Sequence, residues 1–217
     1  TAHLEFSPAY YQNGIVFVSS RNKQVENNNA ATETFFELFY SDLDGNGMPL
    51  EPREFSVRWS TSQHEGPVTF DRDGQILYFT SNNIGKRDKK AKTNQVAHLK
   101  IYEAVKGPND WKEVKELSFN SDEFDCAHPT LSADRQKLYF ASNKPGGFGG
   151  MDLYFVERTA DGWSTPINMG SDINTEGNEL FPFIHSSGNL FFTSNGFQGA
   201  GGLDLFMIDI SSRKWGQ

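Results

Sequence analysis

The sequence predicts an all-β fold, a propeller of four-stranded antiparallel blades with about four blades present. Three observations carry this: a long internal repeat, turn chemistry between short aromatic runs, and no stretch of helix length with a 3.6-residue period. The chain has 217 residues, of which 36 % are hydrophobic and 14 % aromatic, enough apolar content for a buried core. Twenty glycines and nine prolines punctuate the apolar runs, as many strands and turns require.

Four segments align in order. They are Phe6-Ser-Pro to Ser20-Arg21, Gly66-Pro67 to Ser81-Asn82, His128-Pro129 to Ser142-Asn143, and Phe181-Pro182 to Ser194-Asn195. Ser20, Ser81, Ser142 and Ser194 stand 61, 61 and 52 residues apart. Each segment leads to a second signature: Glu37-Leu-Phe-Tyr40, Lys100-Ile-Tyr, Asp152-Leu-Tyr-Phe155 and Asp204-Leu-Phe-Met207. Trp111, Trp163 and Trp215 follow in three units, 52 residues apart, and are expected to pack between neighbouring blades. The units run over 1–50, 51–117, 118–170 and 171–217.

Within a unit, Asn13-Gly14, Asp73-Gly74 or Ser187-Gly188 joins the first two strands, and Ala133–Gln136 takes that place in unit three. Ile76–Thr80 is aromatic and β-branched throughout, the pattern of an inner strand covered on both faces. Asp161-Gly162 before Trp163 marks the turn to a fourth, outer strand. Ser-Asn and the Asp152/Asp204 position recur from unit to unit, which marks them as structural ties between loop backbone and strand ends.

The formal net charge is −8, which argues against a nucleic-acid footprint. Apolar runs of a few residues are too short to span a bilayer, which takes about 20. Cys126 is the one cysteine, so no internal disulfide forms. No nucleophile elbow, zinc-helix motif or phosphate loop occurs, so neither an enzyme nor a cofactor is expected. The Gly146–Gly150 and Gly199–Gly202 runs precede strands, whereas a phosphate cradle needs a following helix. Asp42, Asp44 and Asn46 match the first half of a calcium loop, but Arg53 holds the twelfth position, where a bidentate Glu belongs. A hairpin turn is the competing reading there. Three residues before each proline stand Glu5, His64, Cys126 and Glu179, expected as a polar ring facing the channel.

The features that do not repeat point to partners. Long loops at 22–34 and 83–96 interrupt units one and two. The second carries Lys86, Arg87, Lys89, Lys90 and Lys92. Connections between units are acidic, with Asp122 and Glu123, then Asp172 and Glu176. A basic projection beside an acidic rim is a candidate protein-docking face, and a solvated loop is the alternative.

Pro-x-x-Ser-x-Asp-Gly-x-Leu-Tyr-Phe-x-Ser-Asn followed by Gly-Gly-x-Asp-Leu-Tyr resembles the TolB-type, WD-like propeller repeat. Ser142 to Tyr154, Asp161 to Gly170 and Ile173 to Ile184 are the best stretches. They resemble the propeller of OmpA-family envelope proteins of Bacteroidota, including PorE-like lipoproteins of type IX secretion. The resemblance is strong over 118–217 and loose over 1–117, where insertions replace the Gly-Gly loop and Glu37 or Lys100 replaces the Asp.

The resemblance implies a non-catalytic protein-binding or scaffolding domain contacting other envelope proteins. It implies a periplasmic location, with outer-membrane association through parts outside this chain. It also implies a six-bladed ring of which these units are a portion, prone to self-association. A four-bladed ring closed by N-terminal residues is the competing arrangement. A carbohydrate-binding or glycoside-acting propeller, with Phe148 and Phe197 as stacking platforms, is the alternative function.

Overall fold

A computed structural model describes residues 3–21, 24–25, 33–34, 36–55, 64–82, 98–108 and 110–211. The basic segment Lys86–Lys92, the long loop 83–96 and Trp215 lie outside the described residues, as does most of the loop 22–34.

Blade 1 begins with β1 (Glu5–Tyr11) and β2 (Gly14–Ser19). A short hairpin, β3 (Gln24–Val25) and β4 (Glu33–Thr34), precedes β5 (Glu37–Asp42) and β6 (Arg53–Glu54). Blade 2 is β7 (Glu65–Phe70), β8 (Ile76–Asn82), β9 (Leu99–Lys106) and β10 (Trp111–Glu116). Blade 3 is β11 (Cys126–Leu131), β12 (Lys137–Ser142), β13 (Asp152–Thr159) and β14 (Gly162–Trp163), with β15 (Ile167–Asn168) also on β13. Blade 4 is β16 (Glu179–Ile184), β17 (Asn189–Ser194) and β18 (Asp204–Asp209). Each blade is an antiparallel meander, the four form a four-bladed propeller, and the described residues contain no helix.

Local chemistry explains the hairpins. In blades 2 and 4 the fourth residue of the tight turn has a left-handed backbone, supplied by Gly74 (φ +63°) and Gly188 (φ +88°), whereas in blade 1 Gln12 takes it (φ +52°). In blade 3 Arg135 takes that place at φ +62°, its N–H donating to the Ser132 carbonyl as Gly74 donates to Asp71. Its guanidinium reaches across to Asp71 and Asp73 of blade 2.

Side-chain alternation along the strands divides the core into three layers between adjacent blades. In blade 3, Leu138, Phe140, Tyr154 and Val156 pack against Tyr78 and Ile101 of blade 2. Their strand neighbours Tyr139, Ala141, Leu153 and Phe155 pack against Leu190 and Phe192 of blade 4. Trp111 lies between blades 1 and 2, with Tyr11 and Phe70 at 6.0 and 5.9 Å between ring centroids. Trp163 lies between blades 2 and 3, edge-on to Tyr78. The large aromatic share is thus spent on blade-to-blade contacts.

Pairing places Ser19, not Ser20, opposite Glu5 and in line with Ser81, Ser142 and Ser194. Arg21 N–H donates to Ser19 Oγ as Lys144 donates to Ser142 and Gly196 to Ser194.

Candidate functional site

All four innermost strands carry the same irregularity. Their pairing with the second strand slips at Ser7-Pro8, Gly66-Pro67, His128-Pro129 and Phe181-Pro182. Proline has no N–H for the ladder, so the strand bulges there. Ser7, His128 and Phe181 hold φ near +50°, at +53°, +58° and +52°. The bulge frees backbone donors, which bond across to the neighbouring blade. His128 N–H donates to Thr80 Oγ1 at 2.9 Å and Leu131 N–H to Thr69 Oγ1 at 3.2 Å. Ile184 N–H donates to Thr130 Oγ1 at 3.3 Å, repeating the pattern one blade on.

The bulges line a central cavity of 490 Å³. Its walls are Ser7–Tyr10, Pro67–Phe70, His128–Leu131 and Phe181–Ile184, one stretch from each blade. Most of this lining is apolar, and Phe181 of the lining meets Phe6 of blade 1 edge-on at 6.2 Å. His128 stacks on Phe181 at 4.0 Å, and burial pushes its imidazole down to about 4. It is neutral at physiological pH. Between its unfolded value near 6.5 and about 4, only the unfolded chain takes up the proton. Acidification through that window therefore destabilises the fold. We expect wild type to lose about 1–2 kcal/mol relative to His128→Asn between pH 6.5 and 4.5, read from denaturant titrations. Parallel stability curves for the two proteins would remove His128 from this role.

The polar ring expected from the prolines does not line this cavity. In blade 2 the residue in register is Glu65 rather than His64, because pairing counts from Ser81 and not from Pro67. Glu65, Cys126 and Glu179 are buried at the strand starts and bond away from the channel. Glu65 Oε2 accepts Leu38 N–H of blade 1, and Glu179 accepts Thr175 N–H, Thr175 Oγ1–H and Ser194 Oγ–H. Glu5 pairs with Arg21. These side chains tie strands and blades together. Burial pushes the Cys126 thiol up to about 12. We expect native Cys126 to react with a disulfide reagent at pH 8 at least about a hundredfold more slowly than in denatured chain; comparable rates would contradict its burial.

The remaining sequence candidates resolve individually. Asp42 bonds Arg53 Nη1 at 2.7 Å and Tyr40 Oη at 2.8 Å, and both contacts hold its carboxyl below the usual range. Asp44 Oδ1 accepts Asn46 and Met48 N–H at 2.8 and 2.9 Å. The first half of the calcium pattern is therefore engaged as a hairpin turn, and Arg53 occupies the first carboxylate. Among the described residues no three His, Cys, Asp or Glu side chains gather as a metal cluster. In the Gly146–Gly150 loop, Phe148 and Gly149 N–H groups donate to buried Asp152, which also accepts Asn168 Nδ2–H. Those amides serve an internal carboxylate.

One face collects the acidic connections. Asn143 Oδ1 accepts Asp125 N–H, Asn195 Oδ1 accepts Asn178 N–H, and Gly150 N–H donates to Gly177 O. These bonds lock the loops entering β11 and β16 against the loops leaving β12 and β17. Asp122, Glu123, Asp172 and Glu176 stand exposed on that face. Asp122 is paired with Lys100 at 2.6 Å, and that ammonium holds its carboxyl low. Lys100 also reaches Glu116 at 2.9 Å, a partner that sequence spacing did not suggest. His98 Nδ1 lies 3.1 Å from Asp125 on the same face.

No family model matches the chain, and no curated protein matches it. Solved structures do. TolB from Acinetobacter baumannii superposes with a TM-score of 0.54 at 14 % identity, over 96 % of this chain and 42 % of TolB. A protein assigned as TolB from Agrobacterium tumefaciens gives 0.52 at 16 %, over 90 % of this chain and 57 % of that one. The gluconolactonase XC5397 from Xanthomonas campestris gives 0.50 at 15 %, over 95 % and 73 %. This chain thus spans about half the length of the two TolB structures. At these identities the shared property is the fold, a TolB-like β-propeller.

Proposed function

We propose that this chain is a non-catalytic propeller module that docks protein partners on its acidic face, in the periplasm of a bacterial cell envelope. The observation that carries this reading is the rim itself. Asp122, Glu123, Asp172 and Glu176 are exposed on loops whose backbones are pinned to one another and to two rigid blades. Charged groups held on a rigid scaffold recognise a partner at little ordering cost. The TolB-like fold supports an envelope location. The Ser142–Ile184 repeat supports the finer placement among OmpA-family envelope proteins of Bacteroidota, in a secretion or peptidoglycan-anchored assembly. Outer-membrane association would come through segments outside this chain.

The test is capture of envelope proteins on immobilised chain, compared with Glu123→Lys/Glu176→Lys. We expect the double reversal to weaken capture of specific partners at least about tenfold and to abolish its dependence on salt. Equal capture by both proteins would sink the docking face, and turnover of glycosides or lactones by the purified chain would sink the non-catalytic assignment. A carbohydrate-binding reading rests on Phe148, 49 % exposed on the loop pinned by Asp152. Binding on a glycan array that is lost in Phe148→Ala would favour it.

A further inference from the structure

The chain's own guanidinium groups close the seam between blades 2 and 3 at its turn end. Arg135, in the β11–β12 turn, reaches back to Asp71 at 3.2 Å and to Asp73 in the β7–β8 turn. Behind it, the Tyr78 hydroxyl donates to Glu103 at 2.7 Å, and Arg158 Nη2 lies 3.5 Å from the same hydroxyl. The seam between blades 3 and 4 keeps the tyrosine and loses these partners. Tyr139 takes the place of Tyr78, but Phe155 pairs opposite it where Glu103 pairs opposite Tyr78. Ile210 takes the place of Arg158, its N–H donating to Gly188 O as Arg158 N–H donates to Gln136 O. The blade 4 turn is one residue shorter, closing from His185 to Asn189 where blade 3 closes from Ser132 to Lys137. Its left-handed residue is Gly188, and a Cβ there would fall 2.6 Å from Ser211 Cβ, so the turn position of Arg135 holds no side chain. Ser187 beside it bonds to His185 instead.

A cleft of 350 Å³ results, lined by Asp134, Lys137 and Tyr139 of blade 3 and by His185, Ile210 and Ser211 of blade 4. That volume falls within the range of ligand pockets, about 300–1,000 Å³. Tyr139 is 5 % exposed, and its hydroxyl has no hydrogen-bond partner among the described residues. A buried hydroxyl without a partner carries a desolvation cost that a polar ligand removes. Ser132 Oγ–H and Gln136 N–H both bond Asp134 Oδ1 and hold its carboxyl below the usual range, so it is an anion at neutral pH. Lys137 Nζ is drawn to Glu157 at 3.2 Å and to the face of the Phe155 ring. Among the described residues no blade 4 cation pairs with Asp134, whereas Arg135 of blade 3 pairs with its equivalent Asp73.

We propose that this cleft binds a guanidinium group on an alkyl stem, seated between the Tyr139 hydroxyl and the Asp134 carboxylate in the place that Arg135 and Arg158 fill one seam earlier. A planar guanidinium carries five N–H donors in a fixed fork, so one group serves both oxygens. Ile210 gives the stem an apolar wall. The cleft lies where β11 ends and β12 begins, at the opposite end of the blades from the acidic rim, so it is a second site independent of docking there.

The experiment titrates Nα-acetylarginine amide into the isotope-labelled 217-residue chain and follows backbone amide signals by NMR. Saturable shifts are expected at Asp134, His185 and Ser211, with affinity at least about fivefold weaker in Asp134→Asn and about threefold weaker in Tyr139→Phe. Nα-acetylcitrulline amide, the neutral isostere, should give none. Free arginine and agmatine separate the sources: stronger binding of the blocked probe assigns the site to an arginine residue of a polypeptide, and stronger binding of a free one to a small metabolite. Tyr139→Phe should leave Tm within about 1 °C, whereas Tyr78→Phe, which removes a bonded hydroxyl, should lower it by roughly 2–4 °C. No shifts with any guanidinium probe, or equal shifts with the citrulline probe, would overturn the proposal. Equal losses of Tm at the two tyrosines would do so as well, since the Tyr139 hydroxyl would then be bonded internally. So would binding seen only after Arg213→Ala, which would give the cleft to the chain's own arginine.

Discussion

Replacing Phe140 with alanine is expected to cost about 4 kcal/mol, within the range for emptying a fully buried aromatic site. Phe140 has no exposed surface and stacks on Phe119 at 4.7 Å and Tyr154 at 6.1 Å, in the layer between blades 2 and 3. Both sheets are held by their ladders, so the cavity cannot collapse without moving one blade against another. At this chain length, Tm should fall by roughly 8–16 °C. Phe148→Ala, on an exposed loop, is the control and should stay within about 0.5 kcal/mol. Equal losses at the two sites would mean that the blade interfaces do not carry the stability of the fold.

Asp152→Ala should cost about 3 kcal/mol, because it leaves two backbone donors and the Asn168 amide without their acceptor. Asp152 is 1 % exposed, so water cannot substitute. Gly147 is required beside it, since a Cβ there would overlap the carboxylate and crowd the Tyr154 hydroxyl at 3.1 Å. Asp204 is the same residue one repeat later. It is half-exposed and accepts Gly201 N–H at 3.2 Å, so Asp204→Ala should cost about 1 kcal/mol or less. Guanidinium titrations of both variants measure the difference. A loss at Asp204 as large as that at Asp152 would contradict the burial argument.

That contrast shows where the repeat pattern can be read from sequence and where it cannot. The period identified Asp152 and Asp204 as structural equivalents, and the bonding of Asp152 agrees. It carried no information about burial, because burial depends on which sheets flank the blade. The Ser-Asn pairs behave similarly. Asn82, Asn143 and Asn195 each receive an N–H from the segment before the first strand, as a recurring structural tie should. Counting from proline, however, placed His64 in a position that Glu65 occupies, and counting from Ser20 missed Ser19. Every blade has the same bulge, but in blade 2 the proline stands one residue earlier, with Pro67 in the place of Ser7, His128 and Phe181, so spacing from proline and register across the ladder differ by one there.

Blade order, hairpin positions and strand alternation were determined by the sequence alone, because each follows from local backbone preference and the two-residue period of a strand. Tertiary structure decided the rest. It turned Glu65, Cys126 and Glu179 away from the channel, left the apolar bulges to line it, and joined Lys100 to Glu116 and Asp122. It also left Leu205 and Met207 exposed while their equivalents in blade 3 are buried. Side-chain direction is a local property, but what a side chain meets is set by the neighbouring sheet, which lies about fifty residues away in the chain.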